Sequence, residues 1–259
     1  MLGVLKRVLR RPFLAAAFFA ICSLPQFSGA ADHTNLEEGI PVQVVDAYAT
    51  PYLNREIQAN WRYERTRESE ERFVFEPRLE YGFARNWQGS VSVPVMAGNA
   101  DQTGSGNIAL EALYNFNSES LFLPALALSG RADLPTGRES AGIDTTFTFI
   151  ATKMLIPGSR FNRTHVNLSW MHNRGAAEDE RVDRYRAVLG FDIRVGTDTV
   201  LVTDLYRELL MKKGERSTMF ELGFRRQLTP FTLMGIGAGA GIGDQSARFR
   251  ITIGFQHSF

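Results

Sequence analysis

The chain reads as all-β, a transmembrane antiparallel up-and-down β-barrel of about twelve strands, with ten as the alternative count. Three observations predict this. After residue 30 no stretch approaches about 18 uninterrupted apolar residues, so no helix of the mature chain is expected to cross a bilayer. From Ile57 onward, segments instead alternate apolar and polar side chains, which places one set on each face of a strand. The connections between them also alternate, short then long, as periplasmic turns and extracellular loops do. Without spanning helices only a closed barrel satisfies every backbone polar group in lipid. The slightly negative mean hydropathy agrees, because only alternate residues of a barrel strand touch lipid.

The amino terminus reads as an export signal. Lys6, Arg7, Arg10 and Arg11 form a basic region, Phe13 to Leu24 an apolar core, and Ser28-Gly29-Ala30 a small-residue cleavage site. Residues 1–30 are therefore expected to be removed. Arg10-Arg11-Pro12-Phe13-Leu14 also resembles a twin-arginine signal, but that route exports folded proteins, and a lipid-facing barrel cannot fold in the cytoplasm. The lone cysteine, Cys22, lies within the signal and lacks a small residue before it, so neither lipidation nor a disulfide is expected. Cleavage removes four basic and no acidic residues, turning a formal charge of +1 into −3 and arguing against a nucleic-acid partner. Outer-membrane lipid and the barrel-assembly machinery are the expected partners.

Residues 31–54 are strand-poor, carry Pro41 and Pro51, and read as a periplasmic or lumen-inserted segment before a barrel of residues 55–259. The first outward rows are Ile57, Ala59, Trp61 and Tyr63, then Phe73, Phe75, Leu79, Tyr81 and Phe83, then Trp87, Val91, Val93 and Val95. Next come the rows from Ile108 to Phe116, Leu126 with Leu128, Phe147 with Phe149, Val166 to Trp170, and Tyr185 to Ile193. A stretch near residues 198–209 is ambiguous. Phe220, Leu222 and Phe224 follow, then Met234 to Ala240, then a last row of Phe249, Ile251, Ile253, Phe255, His257 and Phe259. Pro77, Pro94 and Pro124 fall inside proposed strands, where each removes a ladder hydrogen bond, so bulges or strand ends are expected there. Short turns are read at Ala84 to Asn86, Asn115 to Ser118, Val195 to Asp198 and Leu228 to Pro230.

The terminal row, apolar on one face and ending on an aromatic, resembles the assembly signal of bacterial outer-membrane barrels, with Phe255 and Phe259 as its anchors. Leu36-Glu37-Glu38-Gly39-Ile40-Pro41, then Asp46-Ala47-Tyr48 and Arg55-Glu56, resemble the amino terminus of a group of proteobacterial outer-membrane transporters. Tyr81-Gly82-Phe83, Asp133-Leu134-Pro135-Thr136-Gly137, Asp144 and Thr164-His165-Val166-Asn167-Leu168 resemble the family named for the MetA pathway of phenol degradation. The motifs are short but spread over most of the mature chain. The resemblance implies a barrel for passage of hydrophobic or aromatic compounds and supplies no catalytic residues.

Function is therefore sought in the lumen. The rows opposite the apolar ones place Arg78, Glu80, Glu111, Arg131, Asp133, Asp144, Arg186, Asp192, Glu221 and Arg225 inside, as candidate lining residues of mixed charge. Mixed signs fit side chains that pair across strands, or a pore with no strong preference for either sign. Gly235, Gly237, Gly239 and Gly241 share the inward face of the penultimate strand, leaving room for an inserted segment or allowing curvature. Residues 31–54 are expected to pack near Gly235, Gly237 and Gly239, with Val44 or Tyr48 close to Gly237.

A lipid hydrolase is the enzymatic alternative, since His165, Asn167 and Ser169 share a face. They point away from lipid, however, and lie about 6–7 Å apart along the strand. No enzyme, cofactor or metal site is expected, the histidines being scattered and without cysteine partners. A structural or adhesive barrel, plugged inside and acting through its loops, is the other alternative.

Overall fold

A computed structural model describes residues 34–99, 103–137, 142–156 and 161–259. The export-signal reading falls on residues outside this set. Fourteen β segments form one antiparallel sheet. They are β1 (Arg55–Arg65), β2 (Glu71–Ala84), β3 (Trp87–Ser92), β4 (Val95–Gly98), β5 (Gly104–Ser105), β6 (Ile108–Asn117) and β7 (Ala125–Leu134). The rest are β8 (Asp144–Met154), β9 (Phe161–His172), β10 (Asp183–Arg194), β11 (Thr199–Leu209), β12 (Arg216–Thr229), β13 (Thr232–Gly241) and β14 (Phe249–Ser258). β1 pairs with β2 on one side, Ile57 opposite Leu79, and with β14 on the other, Ile57 opposite His257, so the sheet closes.

The segments make twelve staves, because β3 and β4 are one stave broken at Pro94 and β5 is a short ladder against β4. The count of ten is thereby excluded. Pro94 sits where a missing N–H would interrupt pairing, and both halves keep β2 as a partner. Pro77 is tolerated inside β2, opposite Ala59, with its carbonyl accepting from the Val93 N–H. Pro124 lies outside any strand: the β6–β7 connection runs from Ser118 to Pro124, longer than the turn expected at Asn115 to Ser118, and β6 continues to Asn117.

The outward rows follow the alternation. Trp61, Phe73, Leu110, Phe149, Leu168, Leu189, Phe220 and Ile253 are all exposed to the surroundings of the barrel. Aromatic side chains gather at two heights, where amphipathic rings suit the borders of an apolar band. At the short-turn end, Phe83, Trp87, Tyr114 and Phe116 form a chain of ring contacts, Trp87 to Tyr114 at 4.6 Å. At the loop end, Tyr63 lies 4.8 Å from Phe73 and 5.6 Å from Phe249, and Phe147 stacks on Trp170. The ambiguous stretch is the full strand β11. It lacks a clear polar face because Val200 and Val202 point inward beside the outward-pointing Leu201 and Leu205. The inner face is therefore apolar at these positions, and Val188 is buried in the same inner cluster.

Candidate functional site in the barrel lumen

What covers those inward valines is the segment before β1. None of residues 34 to 50 is exposed. The segment follows the inner wall around the short-turn half of the barrel, meeting nearly every stave in turn. Thr50 bonds Gln88 and Glu80 on β3 and β2, and Ala47 meets Thr152 on β8 and Asn115 on β6. Val45 bonds Asn167 on β9, and Gln43 and Val44 bond Asp204 on β11. Pro41 then rests on β12 and β13, Ile40 on β14, and Gly39 against Asn60 of β1.

A chain with no sheet neighbour must find other partners for its buried amides and carbonyls. The wall supplies them from inward polar side chains. The N–H groups of Gln43 and Val44 both donate to Asp204 Oδ2 at 2.8 Å. Asn167 accepts from the Val45 N–H at 2.9 Å and donates to its carbonyl at 2.8 Å. The Ala47 N–H donates to Thr152 Oγ1 at 2.9 Å, and its carbonyl accepts from Asn115 at 2.6 Å. Arg225 donates to the Ile40 carbonyl at 2.9 Å.

Apolar packing completes the fit. Leu36, Val42 and Val44 cluster with Val188, Val200, Val202, Tyr206 and Met219, while Ala47 joins Leu113, Ala125, Ala127 and Ile150. Two gaps in the wall are made by glycine. Pro41 lies against Gly223, Gly235 and Gly237, where a Cβ at Gly237 would stand 3.1 Å from Pro41 Cβ, and Val44 takes the space that a side chain at Gly190 would need. Gly239 faces the Glu221 side chain instead, Val44 meets Gly190 rather than Gly237, and Tyr48 packs beside the second cluster, so those expected contacts are corrected.

Asp46 closes the loop on itself: its N–H donates to the Leu36 carbonyl and its carboxylate accepts from the Leu36 N–H. Arg163 ties this carboxylate at 3.4 Å to Asp192 at 2.7 Å, and also donates to the Thr34 carbonyl. Burial pushes the Asp46 carboxyl above its usual range, against the pull of Arg163 and His165. Burial, with Glu80 and Glu56 beside it, pushes Glu37 up further.

The three residues weighed as a hydrolase set each have a partner. His165 is wholly buried between Thr152 at 3.0 Å and Asp192 at 2.9 Å, Ser169 pairs with Thr148, and Asn167 holds Val45. Above the segment, the loop half of the lumen is a cavity of about 620 Å³ with Glu38, Gly39 and Gln43 at its floor. Of the candidate lining residues, Arg78, Glu111, Arg131, Asp133 and Arg186 border it. Glu80, Asp192, Glu221 and Arg225 lie buried within the wall's polar network, and Asp144 caps the β8 end by accepting from the Arg174 N–H. Among the described residues seven arginines and seven acidic groups border the cavity. Asp204, Thr152, Asn115 and Gln88 were not singled out by sequence. The faint signal was an acid on the inner row of β11 between the apolar Val202 and Tyr206.

A closed twelve-stave barrel with an apolar exterior, two aromatic belts and a charged lumen has the architecture of outer-membrane channels. The solved structures it resembles are of that class. An outer membrane channel from Pseudomonas putida F1 superposes with a TM-score of 0.64 at 14% identity, over 84% of this chain and 100% of the other. The KdgM porin gives 0.57 at 12% over 79% and 99%, and the NanC porin 0.55 at 10% over 79% and 100%. No protein-family model and no curated protein matches the chain. These likenesses establish the fold.

Proposed function

We propose that the chain is an outer-membrane channel or transporter for small compounds. The observation that carries this reading is the charged cavity in the loop half of a closed barrel, with an inserted segment beneath it. A purely structural barrel has no need of so many ionic groups around open space. The sequence resemblance to the phenol-degradation family points to hydrophobic or aromatic permeants, and the half-buried Met171 and Leu210 give the cavity some apolar surface for such a body. The interspersed charges suit a pore without strong preference for either sign. Reconstitution of the mature protein in planar bilayers tests the reading. Discrete conductance steps are expected, whereas silence both in the full protein and after removal of the inserted segment would leave a plugged structural barrel.

In this reading the barrel sits in outer-membrane lipid and is inserted by the assembly machinery through its last strand. The Phe259 N–H donates to the Arg55 carbonyl at 3.0 Å, so the terminal residue lies at the seam where β14 meets β1. Deleting Phe259 is expected to lower the folded, heat-modifiable fraction in the outer membrane while leaving the stability of refolded barrel almost unchanged. Normal assembly of the deletion would refute a role for Phe255 and Phe259 as an assembly signal.

A further inference from the structure

We infer that Arg186, with Arg78 and Arg131 on the same cavity, forms a binding site for a small organic carboxylate, and that Glu38 of the inserted segment occupies it as a built-in competitor. The inference rests on the channel reading and names its ligand class. Arg186 Nη1 donates to Glu38 Oε1 at 2.8 Å and approaches Gln43 Oε1 at 3.4 Å. Unlike its buried neighbours Glu37 and Ile40, Glu38 keeps 27% of its side chain open to the cavity, so this contact can be reached from the loop side.

Charge and geometry point to a carboxylate. Although burial works against ionisation, Arg186, then Arg131 and Arg78, hold the Glu38 carboxyl down at about 2. Arg78 and Arg131 are only loosely engaged by Glu76, each at 3.8 Å, though Arg131 also grips Asp133 at 2.8 Å. If Glu38 leaves, the cavity has seven arginines against six acids, and a solute with one negative charge restores the balance. The exchange replaces one arginine–carboxylate pair by another, so neither charge is left desolvated and alone. The remaining ties of the segment, the Arg163–Asp46 pair and the bonds of Asp204, Asn167, Thr152 and Arg225 to its backbone among them, are made at other staves and outside the cavity lining. A ligand at Arg186 thus frees the one charged anchor at the cavity floor, and by linkage favours movement of the segment.

Sodium benzoate, with benzamide as its uncharged isostere, tests this by titration calorimetry on barrel refolded in detergent. Wild type is expected to bind benzoate and not benzamide. Glu38→Gln, which removes an intramolecular competitor, should bind benzoate roughly tenfold more tightly. Arg186→Met should bind it at least roughly tenfold more weakly than Glu38→Gln does, and Arg186→Lys should fall between. Heat-modifiability confirms that each variant is folded. Equal benzoate affinity in wild type and Glu38→Gln, or undiminished binding in both Arg186 variants, would overturn the site. In bilayers, benzoate should raise conductance of wild type and leave Glu38→Gln unchanged. If every variant is electrically silent while the binding series holds, the site stands and the channel reading fails.

Discussion

Deleting residues 34–54 is expected to raise single-channel conductance by roughly an order of magnitude, because a twelve-stave barrel is wider than the eight-stranded size that wall side chains alone can fill. The segment supplies the material that fills the short-turn half: Leu36, Val44 and Ala47 are essentially inaccessible, and Asp46 is wholly buried. Once it is gone, Asp204, Asn167 and Arg225 face water rather than an empty apolar space, so the wall keeps hydrogen-bond partners and the barrel itself should survive. A weaker form of the same experiment is Asp204→Ala. It strips two buried N–H groups, those of Gln43 and Val44, of their acceptor, at a cost of about 1–3 kcal/mol each. That variant should show frequent transitions to higher conductance, and Asp204→Asn fewer. The converse is a lock. Cysteines at Pro41 and Gly237 stand within disulfide reach, and residues 31–259 contain no thiol to interfere. Oxidation should hold the low-conductance state and reduction release it. Unchanged conductance after deletion, together with absent cross-linking, would show that the segment does not occupy the lumen.

An arginine at Leu189, Phe149 or Leu110 is expected to destabilise the barrel by roughly 2–4 kcal/mol when unfolding is followed by urea titration in lipid vesicles. Each of these side chains is exposed on the outer face near mid-strand, where lipid offers a guanidinium no partner. Thr146→Arg, at an inward position of the strand that carries Phe149, borders the charged cavity and should cost much less. Val188 does not serve as such a control, because it lies in the cluster with Val42 and Val44, and a longer polar chain there would displace the inserted segment. Equal tolerance at Leu189 and Thr146 would mean that the facing of the strands is wrong.

Both expectations separate what is local in this protein from what is not. Which face of a strand meets lipid is written in neighbouring residues: Phe249, Ile251, Ile253 and Phe255 alternate with Arg250, Thr252, Gly254 and Gln256, and a one-residue slip would invert all of them. For the same reason a closed barrel of about twelve strands could be read without a structure, although alternation alone left ten open. The path of residues 34–54 could not. Its hydrogen bonds join groups as far apart in sequence as Val44 and Asp204, and single polar side chains on separate staves carry no period to announce them. The glycine row hinted at a close approach near Gly235 and Gly237, but not that Pro41 makes it. Where alternation failed, at Val200 and Val202, the cause was this same segment, since an inner face covered by an apolar chain need not be polar. Local periodicity thus determined the barrel and its two faces, while contacts across the lumen, which depend only on closure bringing distant staves together, decided what fills it and which arginines Glu38 meets.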